Sequence, residues 1–233
     1  IGLMIARGFI DAGAKVYISS RKADACQQAA DELGENCIAI PADLSTTEGI
    51  SSLVTQIAER EPQLDILVNN AGATWGAPLE DFPPDAFDKI WDTNVKGIFF
   101  LTTQLLPQLR KAASAEDPAR VINIGSIDGL RVPDMNNYPY SASKAAVHML
   151  TRHLAQHLVG ENISVNAIAP GLFPSKMTQF LFEHGDEAVS GFIPMKRPGR
   201  PEDIAGTAIY LSSRASAYLT GAVIPVDGGV STR

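Results

Sequence analysis

Tyr140 and Lys144 stand four residues apart in the run Tyr138-Pro139-Tyr140-Ser141-Ala142-Ser143-Lys144. On a helix that spacing puts both side chains on one face. An ammonium beside a phenol favours the phenolate, so the spacing predicts a tyrosine pKa lowered toward the working range. Such a group can give a proton to a carbonyl oxygen or take one from an alcohol. Taken alone, the pair also fits a plain exposed helix face. Ser126 lies fourteen residues before Tyr140, closing the apolar run Val121-Ile122-Asn123-Ile124-Gly125-Ser126. Asn69-Asn70-Ala71-Gly72 follows the stretch Asp65-Ile66-Leu67-Val68, and Asn94 lies between the two segments. Pro170-Gly171 and Asp227-Gly228-Gly229 come later. A strand-end serine and a helix-distorting asparagine are the ordinary readings of Ser126 and Asn94 one at a time.

The elements that must position these residues alternate between helical and strand patterns, which argues for an α/β fold with a parallel sheet. Strands are predicted at 15–19, 37–40, 66–69, 121–124, 164–169 and 222–226, short apolar runs of the kind buried on both faces. The first helix should end at Gly13. A second signal is Ser45 with Glu48 three residues on, read as a capping box, and a third is Pro201 at the start of a helix. Residues 82–113 read as one long or broken helix, and 138–160 as the helix carrying Tyr140 and Lys144. There is no repeat, low-complexity stretch or linker, so one domain spanning 1–233 is expected.

Composition narrows the function classes. The chain has 233 residues, 45% of them hydrophobic, enough for one well-buried domain. Charged residues make up 19% and the net charge is −7, which gives no reason to expect nucleic acid or an anionic membrane as partner. No apolar run has the length of a membrane span. Cys26 and Cys37 do not make a disulfide framework, and a reducing, cytoplasmic compartment is expected. His153 and His157 have the helical spacing of metal ligands but lack a third partner, and His148 and His184 make no better case, so no metal is expected. The chain opens in an amphipathic helix without a starting Met or an N-cap. The expectation is a longer working protein, which leaves an organellar leader open.

In order and spacing, these motifs resemble the short-chain dehydrogenase/reductase family over essentially the whole chain. The resemblance implies a Rossmann-like, doubly wound parallel sheet with helices on both faces. It also implies a strand and a Thr-Gly-x-x-x-Gly-x-Gly loop ahead of the first helix, with Gly2 as the last glycine of that loop. It casts Asn94, Ser126, Tyr140 and Lys144 as a catalytic tetrad. Ser126 would donate to the substrate oxygen and Tyr140 would supply the proton. Lys144 would hold the nicotinamide ribose and lower the Tyr140 pKa, and Asn94 would fix a water leading to solvent. Tyr138, at a gap of six from Lys144, falls on another helix face and is a candidate for the substrate pocket or for packing.

Cofactor contacts are implied at Gly2, Asp43, Leu44, Asn70, Ala71, Gly72, Tyr140, Lys144, Pro170, Gly171, Phe173 and Ser175. The asparagines of the Asn-Asn-Ala-Gly motif would tie backbone groups of neighbouring strands. Where NAD-dependent members have an acidic residue after the second strand, this chain has Ser20, Arg21 and Lys22. A hydroxyl and two cations suit a 2′-phosphate, so NADP(H) is the expected cofactor. The plain alternative is a solvated basic turn.

Residues 172–198 are expected to form a substrate lid, with Met177 and Phe180 in its wall, and Trp75 and Tyr138 are further wall candidates. The stretches 70–77, 114–126 and 224–229, with the fourteen-residue gap from Ser126 to Tyr140, resemble the rhamnolipid-pathway 3-oxoacyl reductase branch. That implies reduction of a 3-oxoacyl thioester with NADPH. Other carbonyls (steroid, sugar or xenobiotic) remain open, as do a non-catalytic NADP sensor and a structural subunit. Family resemblance further implies a homotetramer.

Overall fold

Short β-branched runs flanked by turn residues become six parallel strands in the computed structural model, which describes residues 1–175, 177–182 and 190–232. Strand β1 (Val16–Ile18) pairs with β2 (Cys37–Ala39). Strands β3 (Ile66–Asn69), β4 (Ala119–Ile124), β5 (Ile163–Pro170) and β6 (Val223–Val226) form a second parallel sheet in that order. The crossovers are helices α1 (Gly2–Asp11), α2 (Ala23–Leu33), α3 (Thr47–Arg60), α4 (Pro84–Trp91), α5 (Gly97–Ala112), α6 (Tyr138–Leu158), the short α7 (Gln179–Phe182) and α8 (Pro201–Ser212).

Every residue of β4 and β5 is buried, as strands covered on both faces must be. Neighbouring β4 residues serve opposite faces. Val121 joins the core of α3, α5 and α6 with Leu53, Leu105, Leu109 and Leu158. Ile122 joins the core of α1 and α8 with Ile5, Phe9, Ile204 and Leu211. This period of two fixes the register, because a one-residue slip would exchange the two cores.

A chain of buried polar side chains runs across these layers. Asn69 Nδ2 on β3 donates to Thr102 Oγ1 on α5 at 3.0 Å and to Asn123 Oδ1 on β4 at 2.8 Å. Asn123 Nδ2 donates to Thr151 Oγ1 on α6 at 2.9 Å, and Thr151 donates to the Val147 carbonyl at 2.8 Å. The asparagine at the end of β3 thus ties side chains rather than the backbone groups expected of its motif.

Two further details differ from expectation. Thr46, not Ser45, caps α3, accepting from the Gly49 N–H at 3.1 Å. Ser45 instead donates to Asp43 Oδ1 at 2.6 Å, so the Ser45–Glu48 capping box does not form. Helix 82–113 is continuous from Pro84 but contains a π-turn at Asp92–Lys96. Such turns insert a residue and turn a side chain inward; here the inward side chain is Asn94, fully buried.

Candidate active site

The carboxyl ends of parallel strands leave backbone groups and side chains converging on one edge of the sheet. Here the segments after β1, β2, β3, β4 and β5 line a single cleft of about 450 Å³. The β1 end contributes Ser20 and Arg21, the β2 end Asp43 and Leu44, and the β3 end Asn70, Ala71 and Gly72. Ser126 follows β4, Tyr140 and Lys144 come from α6, and Pro170, Gly171, Phe173, Ser175 and Met177 follow β5.

Ser126 Oγ accepts the Asp128 N–H at 3.1 Å, which leaves the serine proton free to point elsewhere. Lys144 Nζ donates to the Ile124 carbonyl at 2.8 Å and lies 5.6 Å from the centre of the Tyr140 ring. Burial pushes the Tyr140 phenol up to about 12, with the neighbouring Ser126 hydroxyl working against that rise. Burial also pulls the Lys144 ammonium down to about 8. The lowered tyrosine pKa inferred from spacing is therefore reversed, because removal from water disfavours the phenolate and outweighs the hydrogen bond from Ser126. The result is a phenol that keeps its proton at neutral pH.

Asn94 sits one layer behind. Its Oδ1 accepts from the Ala73 N–H at 2.7 Å, and its Nδ2 donates to the Ala73 carbonyl at 3.0 Å and to Ser143 Oγ at 2.9 Å. Both amide hydrogens are committed, so the side chain clamps the strand-end loop against α6. A Cβ on Gly72 would stand 3.7 Å from Lys144 Nζ, inside the space in front of the lysine. Gly171 has a stricter reason to be glycine: its Cβ would fall 2.7 Å from Asp227 Cα, where the chain after β5 crosses Asp227-Gly228-Gly229.

At the other end of the cleft, Asp43 Oδ1 accepts both the N–H and the hydroxyl of Ser45. Burial would raise its carboxyl, but these bonds, with Arg21 and Lys89 nearby, hold it below the usual range. Its other oxygen is uncommitted to that turn. No carboxylate follows β1, and the hydroxyl and guanidinium of Ser20 and Arg21 replace it, so the cleft fits a dinucleotide with a 2′-phosphate.

Several expected contacts lie elsewhere. Lys22 is outside the cleft lining and stands at the N-cap position of α2, where its side chain makes no cap hydrogen bond. Gly2 packs against Asn70, whose Nδ2 would be 2.5 Å from an added Cβ, and Ile1 rather than Gly2 reaches the cleft. Trp75 is 52% exposed and lines neither the cleft nor the groove beside it. Tyr138 is 42% exposed and lines that neighbouring apolar groove with Leu79, Phe82 and Phe87. The Phe180 side chain, Lys176 and residues 183–189 of the expected lid lie outside the described residues. The sequence did not single out Ala73 and Thr93, which the β3 loop and the π-turn bring to the cleft. Among the described residues no group of three His, Cys, Asp or Glu could hold a metal, and no helix is long and apolar enough to cross a membrane.

The chain belongs to the short-chain dehydrogenase/reductase family. A family model described as Enoyl-(Acyl carrier protein) reductase matches residues 1–231. Among its relatives, the rhamnolipids biosynthesis 3-oxoacyl-[acyl-carrier-protein] reductase of Pseudomonas aeruginosa is 52% identical over 98% of this chain and 91% of its own length. The galactitol 2-dehydrogenase (L-tagatose-forming) of Cereibacter sphaeroides is 35% identical over 98% of this chain and 90% of its own. The solved Pseudomonas aeruginosa RhlG/NADP active-site complex superposes with a TM-score of 0.95 at 51% identity, covering 99% of this chain and 91% of that one.

Proposed function

We propose that this chain is an NADPH-dependent carbonyl reductase acting on a 3-oxoacyl thioester. The observation that carries the reading is one cleft with Ser126, Tyr140 and Lys144 at one end and Ser20 and Arg21 at the other. The likeness to the rhamnolipid 3-oxoacyl reductase supports the substrate class. NADPH, when bound, supplies the hydride that reaches the carbonyl carbon. Ser20 and Arg21 hold its 2′-phosphate, Asp43 and Leu44 flank the adenine, and Pro170, Gly171, Phe173 and Ser175 line the nicotinamide end. Gly72 keeps the space before Lys144 open for the ribose. Ser126 donates to the substrate oxygen as negative charge gathers there. Tyr140 delivers its proton to the same oxygen, and its raised pKa keeps that proton in place until the oxygen becomes basic. Lys144 orients the ribose and, as an ammonium, favours the tyrosinate once the proton has left.

Met177, in the cleft wall, faces the acyl portion in this reading. A sugar ketone is the second reading, favoured by the likeness to the galactitol dehydrogenase. Initial rates with a medium-chain 3-oxoacyl thioester and with sugar ketones, each with NADPH, separate the two. Faster turnover of the thioester is expected, and turnover confined to the sugars would overturn the assignment.

The assembly proposed is a homotetramer in the cytoplasm. It is supported by the exposed Phe87, Phe99 and Phe100 on α4 and α5, Met149 on α6 and Tyr210 on α8. Sedimentation velocity should give about four chain masses, and a persistent monomer would refute it.

A further inference from the structure

Asp128 is a buried-side carboxylate next to the reacting groups that the mechanism above does not use. It sits in the turn Ile127–Gly129, directly after Ser126. Its N–H is the donor that Ser126 Oγ accepts. Its Oδ2 accepts from Asn137 Nδ2 at 3.3 Å. Asn137 is itself buried and immediately precedes α6, where its carbonyl accepts the Tyr140 N–H at 2.9 Å and the Ser141 N–H at 3.2 Å. One side-chain contact therefore ties the loop of Ser126 to the first turn of the helix that carries Tyr140. Gly129 is pressed against that helix: a Cβ there would lie 2.7 Å from both the Lys144 carbonyl carbon and the Ala145 nitrogen.

The charges facing Asp128 are Arg131 from its own loop and Lys144 from α6. Tyr140 and Lys144 in turn feel the Asp128 carboxylate. His148, also on α6, packs against Gly125 and Gly129, and burial lowers its imidazole to about 4, so it brings no charge at neutral pH. Neither of its ring nitrogens has a partner; the nearby Gly129 N–H goes to the Ser126 carbonyl at 3.1 Å instead. Burial pushes the Asp128 carboxyl up, while Asn137, Arg131 and Lys144 favour its ionised form.

We propose that Asp128 is a positioning residue of this site: gripped by Asn137, its carboxylate sets a negative charge in the loop packed against the helix of Tyr140 and Lys144, while its N–H presents the Ser126 hydroxyl as a donor. The kinetic part of this idea rests on the carbonyl-reductase reading; the electrostatic part does not. A negative charge nearby stabilises an ammonium and disfavours a phenolate, so replacing it with a neutral group must lower both pKa values.

The test is Asp128→Asn, with Asp128→Ser as a second neutral variant and Asp128→Glu as the charge-keeping control. In the ligand-free protein, competitive labelling of Lys144 with acetic anhydride across pH, read by mass spectrometry of its peptide, reports the lysine midpoint. That midpoint is expected near pH 8 in the parent, about one pH unit lower in the neutral variants, and near the parent value in Asp128→Glu. In turnover, the alkaline limb of kcat/KM should move down by a similar amount. An unchanged or higher midpoint in whichever neutral variant folds overturns the proposal. Absence of turnover in the parent would sink the substrate reading alone, since the labelling result stands without it.

Discussion

Tyr140→Phe should lower kcat by about 100- to 10,000-fold, the range of a single positioned acid, while NADPH still binds. The substitution removes one oxygen from a buried ring at the cleft wall and leaves the carbon framework in place. No other group described in the cleft matches it as an acid for this oxygen. Lys144 donates to the Ile124 carbonyl, and the Ser126 hydroxyl, though its proton is free, is a far weaker acid than a phenol. Steady-state rates alongside fluorescence titration of NADPH would distinguish lost chemistry from lost binding. Retention of more than about a tenth of the parent rate would remove Tyr140 from the role of acid.

The second large effect is expected at the opposite end of the cleft. Ser20→Asp should cut kcat/KM with NADPH by about 100-fold or more, since like charges brought together cost several kcal/mol. Activity with NADH should rise at the same time, because a carboxylate after β1 can accept from the ribose hydroxyls. Ser20 lines the cleft and its hydroxyl makes only a 3.3 Å contact to the Lys22 carbonyl, so the fold loses little by the change. The ratio of the two specificity constants, measured on one preparation, is the readout. An unchanged ratio would mean that the phosphate is held elsewhere.

These two ends were readable in the sequence for a physical reason. Strands buried on both faces must be short and apolar, so their ends are sharply marked by polar residues, and those ends carry the site. Strand 66–69 is found where its apolar run begins and stops, and Asn70, Ala71 and Gly72 follow in the cleft. Helix boundaries were less legible. Ser45 and Thr46 are both good caps by chemistry, and only the turn made by Asp43 decides that Thr46 takes the role. The π-turn has no local signature, and it turns Asn94 into a clamp on Ala73 and brings Thr93 to the cleft.

Spacing placed Tyr140 and Lys144 on one helix face but carried no information about depth. The sign of the tyrosine shift depends on burial, and burial is a property of the packed layers. Lys22 illustrates the same limit, since a basic residue four positions beyond a strand end already stands at the N-cap of the next helix.

The buried polar ladder through Thr102, Asn69, Asn123 and Thr151 has a consequence for how the chain reaches its working shape. Its members come from α5, β3, β4 and α6, segments far apart in sequence, and each hydrogen bond is made only when the two elements it joins are docked. Until then the same groups are solvated by water, and a collapsed intermediate that dries them early is penalised. Non-local pairings of this kind form late and slowly. The link from β3 to β4 spans 54 residues and that from β4 to the catalytic helix only 28, so by this measure the strand pairing that builds the cofactor cleft is the slower step.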